Sequence, residues 1–281
     1  MKLLVAGDAR VDAGKTTFAA GLLASLFDAV GFKPRAGNDY WFDHDDVSTA
    51  LAEGRLYGKD IATLTAAAQS GERRDGDLRE ERLNPVHRLW RPTPDRTGLL
   101  GESGRTFLVD RVTTAEGQQF VVNGEAAHAG LVPDPLFEVL PLADAPRVRT
   151  VDGFNELMAE RYLPAFERVT ERIADTDPAV VESYSDIALP VEGIGFDAVA
   201  VVGPTRARIY DGERYLKACE VASGSAREGQ LEERVDRVIE MIEPVSTHNL
   251  HPLTSDNRDD PKRVAAAYEP VYEALLDAAF R

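Results

Sequence analysis

Apolar residues at positions 3–6, preceded by Met1 across Lys2, form a short run, the pattern of a strand buried on both faces. After a polar stretch the spacing changes to Phe18, Leu22, Leu23 and Leu26, which is that of a helical face. Further along, 32–36 reads as a short second strand closed by a Gly37-Asn38-Asp39 turn, and 46–80 reads as helical with an interruption at Gly54. Residues 84–94 are extended and punctuated by proline. Positions 105–122 alternate, which predicts a β-hairpin turning at Glu116-Gly117. The stretch 130–149 carries Pro133, Pro135, Pro141 and Pro146. A helical face over 151–174, interrupted at Pro164, reads as a crossover to a parallel strand at 178–182. A buried strand at 196–203, a turn at 209–215 and amphipathic helices at 228–242 and 261–280 complete the chain. This order predicts a three-layer α/β fold with a mainly parallel sheet, a single domain over 1–281. Residues 100–148 read as a hairpin-bearing insertion that either covers a substrate site or mediates self-association, as in a homodimer.

Composition narrows the setting. No apolar run reaches the roughly 18 residues of a membrane span, and the N-terminus lacks a basic leader, so a cytoplasmic protein without a membrane partner is expected. Cys219 has no second cysteine to pair with and reads as a small core residue. The formal net charge of −16 repels phosphodiester backbones and argues against nucleic acid as a partner. Lysine is scarce, at six of the 32 basic residues, and so acidic a surface fits a high-salt cytoplasm that screens self-repulsion. In such a chain a lysine within a candidate site stands out as a compact point charge.

Two lysines qualify. Gly14-Lys15-Thr16-Thr17 lies between the first strand and the first helix, where a Walker A loop surrounds a triphosphate with backbone N–H groups and a helix N-terminus. Residues Asp12, Ala13, Gly14, Lys15, Thr16 and Thr17 then form the nucleotide cradle, with Lys15 on the β- and γ-phosphates and the Thr16 hydroxyl on Mg²⁺. The usual first glycine is replaced by Ala9, so the motif is a variant. Lys33 lies at the end of the second predicted strand, on the side where open α/β sheets bind ligands. Asp39, Asp43, Asp45 and Asp46 follow, either as Mg²⁺ ligands or as an acidic surface loop. The apolar run ending at Glu182 has the form of a strand that carries a carboxylate to a metal. Arg206 and Arg208, beyond the tip of another strand, either bind phosphate or carboxylate or neutralise nearby acids. Thr247, His248, Asn249 and His251 carry no metal-ligand spacing.

The variant P-loop, the Lys33-Pro34 strand and the Gly37-x-Asp39-Tyr40-x-x-Asp43 stretch together resemble the dethiobiotin synthetase and cobyrinic acid a,c-diamide synthase group of P-loop ATPases. The resemblance implies that Lys33 contacts the reacting group and the ATP phosphate. It also implies that an aspartate of this region and Glu182 join Thr16 on Mg²⁺. The aspartate is Asp45 or Asp46; Asp46, which opens the pattern Val47, Ala50, Leu51, is the choice. The group's Val-Glu-Gly is Val181-Glu182-Ser183 here, with serine in place of glycine. The Asn84-Pro85 strand is similar to the one that leads into the substrate loop of dethiobiotin synthetases. Its His87, Arg88 and Arg91 either bind an anionic substrate or belong to a polar connector.

The expected activity is that of an ATP- and Mg²⁺-dependent ligase or ATPase that activates a carboxylate or carbamate of a small acidic substrate by phosphoryl transfer. Lys15 and Lys33 carry the chemistry. The alternative is a nucleotide-hydrolysing switch or scaffold acting through a protein partner, and a third reading keeps the fold without catalysis. No Asn-Lys-x-Asp tetrapeptide occurs, which favours ATP over GTP.

Overall fold

The computed structural model describes residues 1–9, 14–68, 79–222 and 233–281. Among them the strands are β1 (Lys2–Gly7), β2 (Val30–Phe32), β3 (Arg35–Asp39), β4 (Val86–Thr97), β5 (Ser103–Thr114), β6 (Gly117–Asn123), β7 (Arg147–Val148), β8 (Ala179–Glu182), β9 (Ala198–Gly203), β10 (Arg206–Asp211) and β11 (Ser246–Asn249). The fold is α/β with mixed sheets, in which helices lie on both sides. The chain divides into two compact units, one of Met1–Pro34, Thr63–Leu78 and Thr170–Arg281, the other of Arg35–Ala62 and Arg79–Val169.

The first unit contains a six-stranded sheet ordered β11-β10-β9-β1-β8-β2. Strands β9, β1, β8 and β2 are parallel, and β10 and β11 extend them antiparallel. Leu3, Leu4, Val5 and Ala6 of β1 are fully buried, as are Val180 and Val181 of β8 and Val199 and Val201 of β9, which explains their unbroken apolar runs. Helix α1 (Lys15–Ser25) packs close to the helix Pro261–Ala267 at Gly21, where a Cβ would collide with Val264 and the Tyr272 hydroxyl. Tyr272 donates its O–H to Phe18 O at 3.0 Å, and the two rings meet edge-on at 4.9 Å. The C-terminal pattern at 261–280 forms two helices, Pro261–Ala267 and Glu269–Ala279, which part at Tyr268.

Several other boundaries differ from the pattern. The expected turn at 209–215 contains the end of β10 and the start of a helix, Gly212–Ala222. Gly212 mimics a turn signal, yet it is there for space, since a Cβ would strike the backbone of Phe196. Of the helix expected at 228–242, residues 228–232 lie outside the described residues and the helix covers Val235–Ile239.

The second unit holds a sheet ordered β3-β4-β5-β6-β7. Strands β4, β5 and β6 are antiparallel, while β3 runs parallel to β4 and β7 parallel to β6. The expected hairpin is β5–β6, with Thr114 opposite Gly117 across a two-residue loop and Gly117 at φ 121°. Phe120 and Val122 enter one apolar cluster and Val121 another, so β6 is buried on both faces. The stretch 100–148 lies within this unit, which also takes in 35–62, 79–99 and 149–169. The strand expected at 32–36 is two strands in different sheets, β2 and β3, parted at Lys33-Pro34. The expected helix at 46–80 is α2 (His44–Ala52) and α3 (Lys59–Ala68), separated where Gly54 adopts φ 70°, and 69–78 lie outside the described residues. Around Pro164 the helical pattern includes a π-helical turn, Met158–Tyr162, before the helix Leu163–Ala174.

Candidate phosphate site

Strands β1 and β8 are parallel with Val5 opposite Glu182, and β2 lies on the other side of β8 with Phe32 opposite Val181. Lys33, one residue past β2, therefore emerges beside Glu182 at the C-terminal end of the sheet. Its Nζ is 2.7 Å from Glu182 Oε1, with the two side chains 4% and 0% exposed. Thr16, in the first turn of α1, donates its hydroxyl to the same oxygen at 2.9 Å. A carboxylate so deeply buried is tolerated because a cation and a hydroxyl face it. Lys15, also buried, donates from Nζ to Ser185 O at 2.7 Å. These five groups come from α1, the residue after β2, β8 and the loop after β8.

Gly14 caps α1 in the left-handed region, φ 80° and ψ 13°, a conformation that glycine adopts freely. Its carbonyl accepts from Phe18 N at 3.0 Å. Ala9 is not among the described residues with positive φ. Ser183, the residue after Glu182, donates its N–H to Val5 O at 2.9 Å and is fully buried. The left-handed position falls two residues later, at Ser185 with φ 55°. Sequence reasoning missed Ser185, since a backbone carbonyl leaves no compositional signal.

The other candidates are placed as follows. Thr17 follows Thr16 on α1, half-buried; Asp12 and Ala13 lie outside the described residues. Asp46 belongs to the second unit, where with Asp45 it occupies the first turn of α2, a position favoured by the helix dipole. Asp39 and Asp43 build the preceding turn: Asp39 Oδ1 accepts from the N–H groups of Trp41 (2.8 Å) and Phe42 (3.1 Å), and Asp43 Oδ2 from Asp39 N (2.7 Å). Burial, then the charges of Asp46, Asp39 and Asp60, raises the Asp43 pKa against the Asp39 backbone bond. Among the described residues no group of three or more His, Cys, Asp or Glu side chains is placed to hold a metal. Thr16 and Glu182 supply one hydroxyl and one carboxylate, a fit for Mg²⁺, which completes its shell with phosphate and water.

The arginines serve local partners. Arg88 makes two bonds to Asp110, at 2.7 and 2.6 Å, lies over the rings of Trp90, Phe107 and Phe154, and shares Asp110 with the Tyr162 hydroxyl. Arg91 donates to Leu131 O at 2.8 Å. His87 is fully buried, in space that Gly58 leaves open. Arg206 and Arg208 both donate to Asp8 Oδ2. His248 and Asn249 lie on β11 at the sheet edge. Cys219 is buried, and burial pushes its thiol pKa up to about 12. Compared with known proteins, the chain matches no family model and no curated protein.

Proposed function

We propose that the chain is an ATP- and Mg²⁺-dependent P-loop enzyme that activates a carboxylate or carbamate by phosphoryl transfer. The observation that carries this reading is the single Glu182 oxygen facing both the Thr16 hydroxyl and the Lys33 ammonium at the C-terminal ends of parallel strands. In this reading the Lys15 ammonium would exchange Ser185 O for the β- and γ-phosphates, and Thr16 and Glu182 would hold Mg²⁺, whose charge would offset that of the phosphates. Lys33, which follows β2 and stands beside Glu182, would face the γ-phosphoryl group and the acceptor oxygen. There it favours the charge that spreads over the equatorial oxygens. The acceptor oxygen bonds to the γ-phosphorus as the bond to the β–γ bridging oxygen breaks, giving an acyl or carbamoyl phosphate and ADP. The chemistry needs positioning and charge rather than a covalent enzyme intermediate, so no Ser-His or Cys-His pair is required.

ADP release in molar KCl, measured against a panel of small carboxylic acids and amines with bicarbonate, tests it. Stoichiometric ADP with an acyl phosphate trapped by hydroxylamine supports the enzyme. Turnover that responds only to a second protein supports the switch instead.

A further inference from the structure

The chain leaves β1 at Asp8, whose N–H donates to Val202 O at 3.1 Å. Asp8 Oδ2 accepts from Arg208 at 2.9 Å and from Arg206 at 3.4 Å. These arginines are two apart on β10 and so share one face of the sheet. The side chains of Asp8 and Arg208 are 12% and 18% exposed, and that of Arg206 is 52% exposed. Gly203, at the end of β9, makes the arrangement possible: a Cβ there would occupy the space of the Asp8 carboxylate. Among these three side chains two guanidinium groups face one carboxylate, an excess of one positive charge, in a chain whose formal net charge is −16. A lone carboxylate at this position would repel a polyphosphate; the arginines reverse the sign.

We infer that Asp8 is a positioning residue of the phosphate site, held by Arg206 and Arg208 so that β1 ends in a fixed place under a net positive charge. This inference rests on the nucleotide-binding reading above. Charge and placement separate by mutation. Asp8→Asn keeps an acceptor for both arginines and removes a negative charge, Arg208→Met removes a positive one, and Gly203→Ala keeps every charge but displaces the carboxylate.

The experiment measures Kd for ATP–Mg²⁺, kcat and melting temperature for wild type and these three variants in one KCl buffer. Asp8→Asn is expected to tighten ATP binding about three- to fivefold and Arg208→Met to weaken it by a similar factor. Gly203→Ala is expected to lose kcat by about tenfold or more, with Kd changing less. A purely structural role for Asp8 would instead lower the melting temperature and move Kd the same way in Asp8→Asn and Arg208→Met. That result, or an unchanged Kd in Asp8→Asn, overturns the inference while leaving the nucleotide reading intact. Absence of ATP binding by the wild type removes the nucleotide reading itself. Should Gly203→Ala not fold, the opposed shifts of the other two variants still decide.

Discussion

Lys33 and Glu182 form an ion pair at 2.7 Å in which neither side chain is more than 4% exposed. Glu182 is the shared acceptor of the buried Lys33 ammonium and the Thr16 hydroxyl, so its removal breaks two hydrogen bonds, one of them between buried charges. Glu182→Ala is therefore expected to lower the unfolding free energy by about 3–5 kcal/mol. A Debye length of about 3 Å at 1 M salt screens surface charges but not this one, so the loss should persist as KCl is raised through the molar range. Denaturant melts at several KCl concentrations check it. As a control, Glu213→Gln breaks the exposed pair with Lys217 and should leave the melts unchanged.

Two acids of the second unit titrate with opposite consequences. Burial works against ionisation of Glu81, but its hydrogen bonds and ion pair with Arg55 prevail and hold its pKa below the ordinary 4.5. Its contribution to stability is therefore complete above pH 4.5 and is lost as pH falls through the folded-state pKa. Asp43 has a raised pKa, chiefly from burial and then from neighbouring carboxylates, so its charge costs stability at neutral pH and protonation relieves that cost. Glu81→Gln should be less stable than wild type at pH 7 and Asp43→Asn more stable. Both differences should shrink on acidification, as followed by melting temperature against pH.

Arg111 is fully buried and donates to Leu56 O, Asn84 O, Asn84 Oδ1, Glu81 O, Pro85 O and Thr113 Oγ1. Burial pushes its pKa down to about 10. The planar fork joins β5 to the segments around Leu56 and 81–85, and a lysine cannot reproduce it. Arg111→Met should cost about 3 kcal/mol or more by stranding several buried carbonyls, with Arg111→Lys rescuing little of it. Urea midpoints of the two variants measure this.

Close approach of α1 and the helix Pro261–Ala267 depends on Gly21. Gly21→Ala forces a Cβ into Val264 and Tyr272, and overpacking of this kind costs about 1–3 kcal/mol. Val264→Ala in the same chain should relieve part of that loss, so the two substitutions should be less than additive in thermal unfolding.

How much of this was legible in the sequence follows from where burial is continuous. The strands β1, β8 and β9 and helix α1 announced themselves because their apolar residues are buried without interruption or along one helical face. Lys33 and Glu182 stand where such runs end, and Lys15 and Thr16 were drawn from the Gly14-Lys15-Thr16 triplet at the start of α1. Arg35 and Ala36 were joined to the wrong neighbour and Gly37-Asn38-Asp39 read as a turn, whereas all five residues form β3, because periodicity says nothing about which sheet a strand enters and β3 pairs with a strand some 50 residues later. Arg111 gave no sign of its burial, since an arginine in an alternating strand reads as solvent-facing. The link from Asp8 to Arg206 and Arg208 spans most of the chain and exists only through β9 and β10, which no local pattern reports.

The most direct test of the account is calorimetric titration of ATP–Mg²⁺ into wild type, Lys15→Ala and Lys33→Ala in concentrated KCl, with ADP release followed in parallel. The account predicts binding by the wild type, loss of binding in Lys15→Ala, and retained affinity with lost turnover in Lys33→Ala. No heat of binding by the intact wild type, or equal loss of affinity in both variants, would contradict it.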